Sequence, residues 1–149
     1  MADPLAPILN STAFKLHQAT LLIDRSADTH LRREHDLGYA HFLVLLIVRV
    51  AGPTSQRSIA ENLGVSRASI TQRVTALTRD GLLVVTPDPD DSRAHLVDLT
   101  PVGRDRIDRA WRGLDAHDDG LDDGVDDTAL AGQLDIIIAN GRRLLGASS

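Results

Sequence analysis

The sequence predicts a mostly α fold with a small β-wing: a winged helix-turn-helix domain with N- and C-terminal dimerisation helices. Three observations predict it. Residues 55–79 hold two short helical patterns separated by Gly64-Val65-Ser66. Two apolar, β-branched runs, 82–86 and 94–99, flank a Pro/Asp turn, which is the pattern of a hairpin. The terminal segments carry more apolar stripe than one small winged helix can cover, and a monomer would leave it as an exposed patch. Residues 1–36 are therefore read as an arm and dimerisation helix, 37–100 as the winged helix-turn-helix, and 101–149 as C-terminal helices for dimerisation.

In chain order, Pro4 and Pro7 make residues 1–9 a loose arm or a partly ordered lead-in. A long helix is expected over 11–33, with Leu16, Ala19, Leu22 and Ile23 as its apolar stripe, until Asp36-Leu37-Gly38 breaks it. The next helix, 39–50, is apolar nearly all round and belongs in the middle of a domain. Gly52-Pro53 stops it. Ser55 caps a short helix whose inward positions are Ile59, Ala60 and Leu63, and Gly64 supplies the left-handed stop. Ser66 caps the following helix, which turns Ile70, Val74 and Leu77 inward and ends at Gly81.

The opposite face of that helix carries Ala68, Ser69, Gln72, Thr75, Ala76 and Arg79, with Arg67, Thr71 and Arg73 at its margins and no acid among them. Short side chains permit close approach to a groove, amides and hydroxyls suit base edges, and guanidinium suits phosphate. A solvated amphipathic face would look similar; the turn before it and the hairpin after it favour the groove. Arg93, at the end of the hairpin turn, either pairs locally with Asp90 or Asp91 or enters a narrow minor groove. After the hairpin, Thr100 caps a helix with Pro101 in its first position. Ile107, Trp111 and Leu114 are expected inward. Residues 116–127 form an acidic, glycine-bearing turn without the alternating ligand spacing of a calcium loop. A last helix covers 128–145.

The run Asp88-Pro89-Asp90-Asp91-Ser92-Arg93 and the exit Val97-Asp98-Leu99-Thr100-Pro101-Val102-Gly103 resemble the wing of the MarR family of bacterial transcription regulators. Leu77-Thr78-Arg79-Asp80-Gly81-Leu82, Ile59-Ala60 and Gly64-Val65-Ser66 resemble its helix-turn-helix. Ser92 departs from the pair of adjacent arginines usual in that wing. The resemblance implies a homodimeric repressor on a palindromic DNA operator, modulated by a small-molecule effector. Its DNA-binding residues would be Ser55, Arg57, Ser66, Arg67, Ser69, Thr71, Gln72, Arg73, Thr75, Ala76 and Arg93. It also implies a ligand pocket between dimer helices and DNA-binding lobe, with His17, Arg25, His30, His41 and Trp111 as candidates for an aromatic anion.

Other classes fit less well. No phosphate loop, nucleophile elbow or spaced catalytic triad points to an enzyme, and no cofactor is expected. The net charge of −5 argues against DNA only if charge is uniform, whereas residues 66–79 hold three arginines and no acid. A winged helix used for protein contacts, with DNA binding weak or lost, remains an alternative. So does a metal-responsive regulator: there are six histidines, but no cysteine and no His-x-x-x-His pair, so a metal would need a site assembled in three dimensions. No long uncharged apolar run and no leader pattern is seen, which is the expectation for a cytoplasmic bacterial protein, nucleoid-associated when bound.

Overall fold

The computed structural model describes residues 4–146. In order it holds α1 (Ala6–Leu9), α2 (Thr12–His35), α3 (Tyr39–Ala51), α4 (Gln56–Leu63), α5 (Arg67–Arg79), β1 (Leu83–Pro87), β2 (His95–Leu99), α6 (Pro101–Asp115) and α7 (Asp127–Gly146). The expected loose arm or partly ordered lead-in thus contains one helical turn, α1; its residues 1–3 lie outside the described residues. The chain falls into two compact units, 1–117 and 118–149.

In the first unit α3 is the hub. Its Phe42, Val44, Leu45 and Val48 are fully buried, and it packs against α2, α4, α5, α6 and β2. Each such side chain contributes about 1.5–3 kcal/mol by leaving water. Gly38, ahead of α3, has no side chain with which to cap it. Asp28 of α2 does so instead, its Oδ1 accepting the Tyr39 N–H at 2.8 Å while Oδ2 pairs with Arg32 at 2.7 Å. Both contacts hold the Asp28 carboxyl below its ordinary range, the Arg32 hydrogen bond most. The chain turns between the two helices through Asp36, in the left-handed region at φ 49°.

Ser11, Ser55, Ser66 and Thr100 cap α2, α4, α5 and α6 through their hydroxyls, each accepting the N–H three residues on. The inward line of α6 is Gly103, Ile107 and Ala110, with Leu114 packed against the same core. Trp111, expected inward, is 48 % exposed. It lies one position round the helix from Ala110, and the core accepts small residues where α6 crosses α2 and α3.

The second unit is α7 and the acidic loop before it. Asp118, Asp119 and Asp126 accept backbone N–H groups two or three residues on, which shapes the loop and starts α7. No residue of α7 is buried, and Leu130, Ile136, Ile137, Ile138, Leu144 and Leu145 are exposed.

Candidate nucleic-acid interface

The interface is built from two stiffly joined pieces. The first is α4-turn-α5. Gly64 adopts φ 63° at the end of α4, and its successor Val65 donates its N–H to Ala60 O at 3.1 Å. Ser66 then starts α5 by accepting the Ser69 N–H at 3.1 Å. Ile59, Ala60, Ile70, Val74 and Leu77 are buried between the two helices and α3. This packing turns Arg67, Ala68, Thr71, Gln72, Thr75, Thr78 and Arg79 to the outside. Ser69, Arg73 and Ala76, expected on the same face, are half-buried at its edge. Arg73 faces His41, whose pKa is lowered by burial and next by the Arg73 charge.

The second piece is the wing. β1 and β2 pair antiparallel from Leu83↔Leu99 to Pro87↔His95, with Leu83, Val97 and Leu99 buried. At the tip, Asp88 N–H donates to Ala94 O at 2.9 Å and Ala94 N–H to Asp91 O at 3.0 Å. Asp91 Oδ1 accepts the backbone N–H of Arg93 at 3.0 Å, so this acid shapes the turn and leaves the guanidinium unpaired. Among the described residues, Arg67, Arg73 and Arg93 enter no ion pair. Arg57 differs: it is held by Glu61 at 2.7 Å, one helical turn on.

Two participants have no signal in local pattern. Thr54, just ahead of α4, exchanges both backbone hydrogen bonds with Val97 (3.0 and 2.7 Å), stitching the wing to the helix-turn-helix. Gln56 Oε1 accepts the Thr71 hydroxyl at 2.9 Å and so orients an outward-facing side chain of α5. At the wing's exit, Thr100 donates its N–H to Leu82 O at 3.1 Å and its hydroxyl to Gly81 O. Gly103 stands so close that a Cβ there would lie 1.9 Å from Leu82 O.

The five candidate ligand residues are spread over several places. Arg25 lines a cleft of about 500 Å³ together with Leu21, Asp24, Asp28, Thr29, Tyr39 and Ala40. The Tyr39 hydroxyl bonds Asp24, and burial first, then that carboxylate, raises its pKa. His41 lines a separate cavity of about 370 Å³ with Asp36, Asp80 and Arg106. His30 is buried beside His117, while His17 and Trp111 are exposed.

The geometry has counterparts among known proteins. The model of the MarR family matches residues 35–94. The transcriptional activatory protein BadR of Rhodopseudomonas palustris is 30% identical over 106 residues, covering 69% of this chain and 60% of that protein. The HTH-type transcriptional regulator YkoM of Bacillus subtilis is 29% identical over 79 residues, 53% of this chain and 51% of its own. The chain therefore spans half to three fifths of the length of these curated relatives. Among solved structures, the transcriptional repressor CouR bound to a 23-mer DNA duplex matches with TM-score 0.77 and 26% identity, covering 95% of this chain and 100% of that one.

Proposed function

Because this chain belongs to the MarR family of winged-helix transcriptional regulators, whose members here are regulators and not enzymes, we propose that it is a repressor that binds a palindromic operator as a homodimer. One observation carries the reading: an acid-free α5 exposes Arg67, Thr71 and Gln72 beside a wing whose Arg93 guanidinium is unpaired. Gln72 would read a base edge, Thr71 a thymine methyl, Arg67 phosphate, and Arg93 the minor groove. The first and last segments, 1–36 and 101–149, would supply the dimer contact, because α1, α2 and α7 expose Ile8, Leu9, Leu22, Ile23, Ile137 and Leu144. A twofold dimer sets two α5 helices about 34 Å apart, one turn of DNA.

An effector would enter the cleft lined by Leu21, Arg25 and Tyr39, where Arg25 is the cation offered to a small aromatic anion; Asp24, bonded to Tyr39, and Asp28, paired with Arg32, line the same walls. It acts only by binding one arrangement of the dimer better than another. No helix among the described residues is long and apolar enough to cross a membrane, and the proposed site of action is the bacterial cytoplasm.

The test is a salt titration of binding to duplexes selected from genomic fragments. Affinity should fall steeply and linearly in log–log form, Arg67→Ala should flatten the slope by about 1, and Arg93→Ala should weaken binding. Affinity that does not respond to salt would instead favour a winged helix devoted to protein contacts.

A further inference from the structure

Three of the six histidines, far apart in sequence, meet in the first unit. His30, on the inner side of α2, is 8% exposed, and neither ring nitrogen has a hydrogen-bond partner. Its ring stacks on that of His117, with centroids 4.1 Å apart and planes 25° from parallel. His35 approaches at 5.8 Å. His117 sits in the turn that closes α6, where its backbone N–H donates to Leu114 O at 3.1 Å. His35 lies over Gly113 of α6, where a Cβ would come within 2.3 Å of its Nε2. Buried polar groups are normally paired, so an unpaired imidazole at a junction of two elements calls for a reason.

We propose that His30, stacked on His117, is a proton-binding site: a clasp between the end of α2 and the turn leaving α6, closed while His30 is neutral and opened when it takes up a proton. A metal is disfavoured by the geometry, since the three rings do not bring three nitrogens within 4.8 Å of one another. The charged surroundings favour a neutral ring. Burial is the strongest influence holding the pKa of His30 down, followed by His117 from the α6 turn and His35 from α2; Arg33 adds to them, and only Glu34 opposes. The sign follows. Above about pH 6.5, the ordinary value, His30 is neutral in folded and unfolded chains alike. As pH falls below that toward the lowered folded value, the unfolded chain binds the proton first, and stability contributed by the clasp is lost. Because α6 also carries Gly103 against the wing, loosening its far end is felt at the DNA-binding piece.

The experiment uses the full chain as wild type, His30→Phe and His117→Phe; each variant keeps a stackable ring that cannot take a proton. Imidazole resonances followed by NMR should place the His30 titration below 6.5. The drop in Tm between pH 7.5 and 5.5 should be smaller in both variants than in wild type. A titration at or above 6.5, or an acid loss of Tm undiminished in the variants, overturns the proposal. If His30→Phe fails to fold, His117→Phe and the wild-type titration still decide. Zinc added at pH 7.5 should leave Tm unchanged; a rise that His30→Phe abolishes would overturn the proton site in favour of a metal. The regulatory arm rests on the DNA-binding reading: wild type should lose more operator affinity than His30→Phe between the two pH values, and equal losses refute it. Absence of DNA binding at pH 7.5 would sink that earlier reading alone, because the titration and the Tm comparison need no DNA.

Discussion

Replacing Gly103 with alanine sets two opposed effects against each other at one atom. In an open helix the change is favourable by up to about 1 kcal/mol, since glycine spends more backbone entropy. At this position the new Cβ would sit 1.9 Å from the carbonyl oxygen of Leu82, 2.8 Å from its carbon and 3.1 Å from its Cα. Reaching even 3.0 Å from that oxygen requires a retreat of about 1.1 Å, and the obstacle is backbone. The Leu82 carbonyl accepts the Thr100 N–H and the neighbouring Gly81 carbonyl accepts the Thr100 hydroxyl, so retreat strains both bonds. Overpacking costs ~1–3 kcal/mol and each of the two weakened hydrogen bonds ~0.5–1.5 kcal/mol, so the clash exceeds the helix gain by ~1–5 kcal/mol. For a chain of this size that lowers Tm by roughly 2–20 °C. Differential scanning calorimetry of Gly103→Ala beside Gly132→Ala supplies the comparison. The control site on α7 has no heavy atom within 4 Å of the added Cβ, so its variant should be neutral or slightly stabilised. Equal melting of the two variants would refute the claim that α6 is wedged against the wing.

Two further outcomes are expected beyond those tied to Arg93 and His30. Gln72→Ala should relax base preference at one position in each half-site, at a cost of ~1–3 kcal/mol in discrimination, measured by binding to a panel of singly substituted operators. Ile137→Glu combined with Leu144→Glu changes two exposed residues of α7. The pair should leave folding unchanged by circular dichroism yet drive the protein to monomer in sedimentation velocity; an intact dimer would locate the interface elsewhere.

What can be read from the sequence is local. Hydroxyl caps at Ser55, Ser66 and Thr100, the left-handed stop at Gly64 and the all-round apolar α3 each act within a few residues. The expected hairpin runs, 82–86 and 94–99, sit within one residue of the strands at every end, because strand chemistry and turn chemistry are both local. What escapes depends on distant partners. Thr54 pairs with Val97 across the whole of α4, α5 and β1, and a single bridged residue has no periodicity. Size and apolarity point Trp111 inward, whereas Gly103, Ile107 and Ala110 define the closer approach of α6 to the core. His30 and His117 lie far apart along the first unit's chain, and only the crossing of α2 with α6 lets them meet.

The paired backbone bonds between Thr54 and Val97 constrain how such a molecule can be turned off. They fasten the lead-in of the helix-turn-helix to the strand behind the wing tip, so helix and finger cannot be aimed separately. An inhibitor that bent only one of them would have to break a buried strand pairing first. In the proposed dimer, the cheaper variable would be the separation and tilt of whole lobes across its twofold axis. If the proposed dimer and effector hold, affinity should respond to inserting or deleting base pairs between half-sites as it responds to the effector, with the lobes themselves unchanged.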